Sequence, residues 1–150
     1  PRCESDGGRV TDGSVWLDEH IVVACPPREA LECLNGPVAI AGWFGCKRAG
    51  SQTTIASAGG DLVVELAHEE WLPDDGALLV IGTTGDVWLR AHLTVRAVMQ
   101  PGAHPYLHPG TEIWTHVELG PARRASRLTA LLQDVLRDGL EHLRLELDTC

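Results

Sequence analysis

The chain has 150 residues, of which 44% are hydrophobic, and its formal net charge is -9 at pH 7. This length and apolar content predict one domain with a buried core and exclude disorder along the whole chain. The negative charge repels phosphate backbones, so we expect no nucleic-acid partner. No stretch approaches the roughly 18 apolar residues that cross a bilayer, so we expect no membrane span.

The first thirteen residues, Pro1 to Gly13, are polar and rich in glycine. They have no apolar central region like that of a signal peptide, and we interpret them as a flexible tail. Residues 14–150 then form the single folded domain.

Cysteine usage favours a reducing compartment. The chain has five cysteines, an odd number, and no CxxC pair. This pattern argues against a disulfide scaffold or a thiolate zinc site, and a cytoplasmic location is the simpler interpretation. We predict no cofactor.

The first elements after the tail are one strand and two short helices. Ser14 to Cys25 is long and rich in β-branched residues, as strands are. Two prolines then open a short helix in which Ala30 and Leu31 are expected to be buried. Asn35-Gly36-Pro37 ends that helix, and Val38 to Trp43 can form a second.

The middle of the chain is a succession of strand-like runs. Short turns rich in Gly, Asp and Thr separate most of them, and such turns join antiparallel neighbours. The runs are Thr53 to Ala58, Asp61 to Trp71, Ala77 to Gly82, Asp86 to Gln100, and Thr111 to Gly120.

The last element is an amphipathic helix that begins near Pro121. Leucines and valine recur at steps of three and four between Leu128 and Leu147, giving one apolar stripe over about five turns. Gly139 lies inside this helix and costs about 1 kcal/mol relative to Ala. A residue without a side chain there allows close approach to the sheet or to a ligand.

This order of elements, with IVVACPPREALECLNGPVAIAGWFG at Ile21 to Gly45, resembles the START/SRPBCC superfamily of helix-grip proteins. The superfamily includes lipid-transfer domains, pollen-allergen-like proteins and aromatic polyketide cyclases. The resemblance covers Ser14 to Leu147. It implies an α+β helix-grip fold, in which a curved antiparallel sheet of six to seven strands, two short helices and a long C-terminal helix enclose a pocket.

Alternation along the strands predicts which side chains face that pocket. On Asp86 to Gln100 the apolar set from Val87 to Ala97 faces inward. Arg90 and Arg96 face outward, opposite Glu112 and Glu118 of the next strand. Small inward residues under one helix favour a cavity that admits a flat or chain-like apolar ligand. On Asp61 to Trp71 the same alternation places four side chains inward: Leu62, Val64, Leu66 and His68.

Few polar groups face inward in this scheme, namely His68, Thr115 and Thr54. His68 is the candidate catalytic residue, since a neutral imidazole can anchor a hydroxyl or move a proton. The alternative is a histidine at the rim or a hydrogen-bonded core histidine. Trp43 and Val64 are the candidate ligand-binding residues. Trp43 either walls the pocket or packs the short helices onto the sheet.

Three functions are compatible with this scheme. The first is binding of a small hydrophobic ligand, such as a lipid, a polyketide or another aromatic metabolite, in bacterial metabolism. The second is a polyketide cyclase/dehydratase-type enzyme that uses the same cavity. The third is a regulatory or co-chaperone-like module that binds protein through the outer sheet face. Trp88 and Trp114 lie on that face, where they can support a homodimer.

Overall fold

The structure is a computed structural model that describes residues 13–56, 60–101 and 107–148. The tail predicted for residues 1–13 lies outside the described residues, except for Gly13.

The described residues form a seven-stranded antiparallel sheet, three α-helices and one 3₁₀ turn. The strands are β1 (Val15–Val23), β2 (Cys46–Ala49), β3 (Gln52–Ile55), β4 (Leu62–Leu72), β5 (Ala77–Thr84), β6 (Val87–Pro101) and β7 (Leu107–Gly120). The helices are α1 (Pro27–Leu34), α2 (Pro37–Trp43) and α3 (Ala122–Leu147), and the 3₁₀ turn is Pro73–Asp75. The predicted α+β helix-grip architecture is confirmed.

The spatial order of the strands is β1-β7-β6-β5-β4-β3-β2. The consecutive strands β2 to β7 form a meander, and β1 closes the far side by pairing with β7. The sheet curls into a half-barrel. β2 is the strand that the sequence pattern did not reveal, because it has four residues, CKRA, with a single apolar one beside the cysteine.

The two faces of β6 and β7 are those predicted, except that Ala97, in the set predicted to face inward, is exposed. Leu89 and Leu93 of β6 are buried, and so are the β7 residues Ile113 and Val117. On the opposite face, the register places Arg90 beside Glu118 and Arg96 beside Glu112. The side-chain N···O distances of these pairs are 3.5 Å and 2.7 Å. The arginine side chains are largely exposed and the glutamate side chains are mostly covered, so each pair adds little stability, but the pairs show which face is outside.

The long helix α3 packs across the concave face and divides the core into two groups. Its N-terminal half carries Leu132 and Leu136 onto β1, β6 and β7. Its C-terminal half carries Leu140, Leu143 and Leu147 toward α1 and the other end of the sheet. Within the described residues, no helix is both long enough and apolar enough to cross a membrane.

A β-bulge interrupts β4 between Leu66 and His68. Gly82 of β5 pairs with Leu66 there, and a Cβ on Gly82 would lie 2.6 Å from the Glu65 carbonyl oxygen. The strands therefore approach closely at this point, and only glycine fits. Because a bulge adds one residue to one strand, the inward and outward positions of β4 exchange beyond Ala67.

Candidate functional site

A cavity of about 160 Å³ lies between the concave face of the sheet and helices α2 and α3. It is not fully enclosed. Its wall is mostly aliphatic, because the buried positions of β4 to β7 and the apolar stripe of α3 point into the same space. The aliphatic lining residues are Ile40, Ile55, Val64, Leu66, Leu78, Val80, Leu89, Leu93, Val117, Leu132, Val135 and Leu136.

Small side chains explain why this space is not filled. Ala91 on β6, between the larger Leu89 and Leu93 of the same face, and Ala41 on α2 line the cavity. A cavity of roughly 150 Å³ with aliphatic and aromatic walls stays dry and admits a benzene-sized guest. The space is therefore sufficient for one ring or a short chain, and larger ligands would extend through the open side.

A polar corner interrupts the apolar wall where β2, β3 and β4 meet. Arg48 Nη1 donates to Glu69 Oε2 at 2.7 Å, and these side chains are 23% and 25% exposed. Thr53 is directly opposite Arg48 in the β2–β3 register and is 9% exposed. The Nε of Arg48 and the hydroxyl of Thr53 are both buried, and neither has a hydrogen-bond partner among the described residues.

Three other residues with polar side chains line the cavity: Thr115, Cys46 and the exposed His92. The Thr115 hydroxyl donates to the Glu19 carbonyl oxygen at 3.2 Å, so its hydrogen-bonding need is met by β1. Burial raises the pKa of the Cys46 thiol. The nearby Thr53 hydroxyl acts in the opposite direction on that pKa, but burial dominates and the two groups form no hydrogen bond of normal geometry. Cys46 is therefore a protonated, weakly nucleophilic thiol at neutral pH.

Phe44 separates the cavity from an outer cleft. Its ring lines both spaces, and the cleft is completed by Trp43, Gly139 and His142. A Cβ on Gly139 would lie 2.2 Å from Phe44 Cδ1, so the ring sits where a side chain of α3 would otherwise be. The close approach expected at Gly139 is thus to Phe44.

Val64, a predicted ligand-binding residue, is 1% exposed and lines the cavity. Trp43, the other one, lines the outer cleft, where its ring meets His142 edge-on at a centroid distance of 5.1 Å. A role for either residue in ligand binding stays a prediction.

The inward orientation predicted for His68 is wrong. The bulge at Ala67 turns His68 to the outer face, where its side chain is 52% exposed and Nε2 lies 3.5 Å from Glu70 Oε1. Glu69 takes the inward position instead and lines the cavity. The predicted catalytic role of His68 stays untested, but its position outside the cavity does not support it.

The orientation predicted for Thr54 is also wrong, since Thr53 faces the cavity and Thr54 the other side. The sequence reasoning missed Arg48, Thr53, Glu69 and Phe44. For Glu69 a signal existed. The apolar positions of β4 change from even (Leu62, Val64, Leu66) to odd (Trp71), which is the mark of a bulge.

Comparison with solved structures finds this fold in several proteins of low sequence identity. The Zhui aromatase/cyclase from Streptomyces sp. R1128 superposes with a TM-score of 0.64 at 12% identity, over 90% of this chain and 94% of that one. The protein XoxI from Bacillus cereus superposes with a TM-score of 0.60 at 11% identity, over 89% of this chain and 95% of that one. A START superfamily protein from Mycobacterium smegmatis superposes with a TM-score of 0.50 at 13% identity, over 88% of this chain and 98% of that one.

No family model matches the sequence, and no curated protein matches it. The structural likeness nevertheless extends over most of each chain. The chain has the START/SRPBCC fold. At these identities the likeness defines the fold and leaves the function to be argued from the site.

Proposed function

We propose that the protein binds a small hydrophobic ligand in the cavity between the sheet and α3. The observation that carries this proposal is a mostly aliphatic-walled space of about 160 Å³ that the side chains between the sheet, α2 and α3 leave unfilled. Protein interiors are normally as dense as organic crystals, and an empty space forfeits contacts that a guest would restore. Lipids, polyketide fragments and other aromatic metabolites all present the apolar surface that this wall would bury.

The size and shape of the cavity set the class of ligand. The cavity suits one ring or a short acyl chain, and a second fused ring would extend toward its open side. Phe44 lines both the cavity and the outer cleft, and Trp43 borders that cleft. A ligand that extended past Phe44 into the outer cleft would therefore meet aromatic surface there.

Filling the cavity tests this proposal. Ala91→Phe adds a phenyl ring to a wall residue of the cavity, and we expect it to abolish binding of indane and 1-indanone in isothermal titration calorimetry. Ala97→Phe is the matched control, because Ala97 lies on the same strand and is exposed. Native mass spectrometry of freshly purified protein should also reveal a bound apolar compound. Absence of binding by the wild-type protein, or unchanged binding by folded Ala91→Phe, would refute the proposal.

A cyclase/dehydratase-type enzyme is the second candidate, and the polar corner favours it. A carboxylate beside a guanidinium in an apolar space is a combination that can accept a proton and polarise a carbonyl. Glu69 and Arg48 stand in that relation. If the protein closes rings on a chain with several carbonyl groups, Glu69→Gln should abolish turnover while binding persists. His68→Ala should leave turnover unchanged; the reverse pattern would restore His68 as the catalytic residue.

A further inference from the structure

We propose that the polar corner formed by Arg48, Thr53 and Glu69 selects ligands with a neutral carbonyl oxygen placed against an apolar ring. This inference rests on the proposed ligand-binding function and adds to it the chemical group that the ligand must carry.

The starting observation is two buried donors with nothing to bind. Arg48 Nε and Thr53 Oγ1 are both shielded from solvent, and neither finds a partner among the residues that the structure describes. Buried polar groups in proteins are nearly always hydrogen-bonded, so each unsatisfied one needs an explanation. Both residues belong to the cavity wall, so a bound molecule becomes a partner for these two atoms once the neighbouring side chains shift enough to uncover them.

The geometry brings the two donors to one place. Arg48 and Thr53 are directly opposed in the β2–β3 ladder. Opposed residues in an antiparallel pair project from the same face, with Cβ atoms about 5 Å apart. One acceptor atom between them can therefore receive a hydrogen bond from each.

The chemistry of the donors defines the acceptor. A guanidinium only donates, so the ligand group must accept. A carbonyl oxygen has two lone pairs and satisfies both donors at once. A hydrocarbon would leave both donors unsatisfied.

The charge balance excludes an anion as the preferred group. The positive charge of Arg48 is already matched by Glu69 at 2.7 Å. A carboxylate on the ligand would bring a second negative charge into a mostly aliphatic space that has no second guanidinium or ammonium group to balance it, and His92, which also lines the cavity, is an exposed residue. Among the residues that line the described cavity, Arg48 is the one Arg or Lys. A neutral ketone, ester or quinone is therefore favoured over a free fatty acid.

Three probes of one skeleton test this inference: indane, 1-indanone and indane-1-carboxylate. We expect 1-indanone to bind the wild-type protein at least about fivefold more tightly than indane, the size of one or two net hydrogen bonds. Indane-1-carboxylate should bind more weakly than 1-indanone at pH 7. Titration calorimetry gives the three affinities.

Two variants locate the preference at the corner. Thr53→Val keeps the side-chain shape and removes one donor, and Arg48→Lys keeps the charge opposite Glu69 and removes Nε. Each should reduce the preference for 1-indanone over indane, measured as the ratio of the two affinities in the same variant, by about threefold or more. Thr54→Val is the matched control, since Thr54 faces the other side of the same strand. It should change neither affinity.

The outcomes separate this inference from the proposed function. If indane and 1-indanone bind equally, or if Thr53→Val and Arg48→Lys keep the full preference, the carbonyl site is wrong while the cavity still binds ligands. Tightest binding of the carboxylate would also overturn the carbonyl site. If none of the three probes binds, the proposed function itself fails.

Discussion

Gly139 and Phe44 give a quantitative test of how α3 closes over the cavity. In a helix interior, Gly→Ala normally stabilises by about 1 kcal/mol, because alanine has the higher helix propensity. At Gly139 the new methyl would lie 2.2 Å from Phe44 Cδ1, where carbon atoms in contact are roughly 3.5 Å or more apart. The ring must move by about 1 Å, and overpacking of this kind costs about 1–3 kcal/mol.

We therefore expect Gly139→Ala to leave the free energy of unfolding unchanged or to lower it by up to about 2 kcal/mol. In a Phe44→Ala background the same substitution should stabilise by about 1 kcal/mol, because the obstacle is gone. The coupling energy of this double-mutant cycle, measured by urea denaturation, should be about 1–3 kcal/mol. Displacement of Phe44 should also weaken binding of 1-indanone, since that ring lines the cavity.

Gly42→Ala is the matched control. Gly42 lies within α2, and a Cβ there would meet no described atom within 4 Å. This variant should show the propensity gain alone, about 0.5–1 kcal/mol. If Gly139→Ala stabilises as much as Gly42→Ala does and 1-indanone binds normally, the close packing of α3 on Phe44 is not as described.

Three further predictions follow from other parts of the molecule. Leu136→Asp should abolish cooperative thermal unfolding, because it places a charge in the core beneath α3. Leu145→Asp, at a position 57% exposed on the same helix, should be tolerated. Equal melting curves for the two variants would contradict this prediction. Iodoacetamide should alkylate Cys46 slowly at pH 7 and faster as the pH rises toward the raised pKa of the thiol. Bound 1-indanone should slow the reaction further, because Cys46 lines the cavity, and peptide mass spectrometry measures both effects. If the outer face forms a homodimer, Trp88→Ala with Trp114→Ala should yield a monomer in analytical ultracentrifugation that still binds 1-indanone; an unchanged dimer would exclude that face.

The sequence predicted the fold well because the strongest periodic signals lie in the longest elements. β6 and β7 alternate cleanly over most of their length, and α3 carries one continuous apolar stripe. In each of these elements the core-facing residues recur with a regular period, so the sequence pattern of the element predicts which of its faces packs against the core. The register of Arg90 with Glu118 follows from the same regularity.

The site was predicted less well because its polar residues lie where regularity fails. The bulge at Ala67 exchanges His68 and Glu69, and it depends on the close approach of Gly82 in the neighbouring strand. Arg48 lies on a four-residue edge strand too short to show a period. Arg48 lies opposite Thr53 only because β2 pairs with β3, and the sequence of neither strand alone predicts that pairing.

Methyl NMR of protein labelled at Val and Leu tests the central claim most directly, because Val63 and Val64 are adjacent residues on opposite faces of β4. Val64 is 1% exposed and lines the cavity, whereas Val63 is 47% exposed. On titration with 1-indanone, the methyl signals of Val64, Val117 and Leu136 should shift together and saturate, while those of Val63 stay in place. Shifts confined to Val63 and other exposed methyl groups, or no saturable shift at all, would contradict a ligand-binding cavity beneath α3.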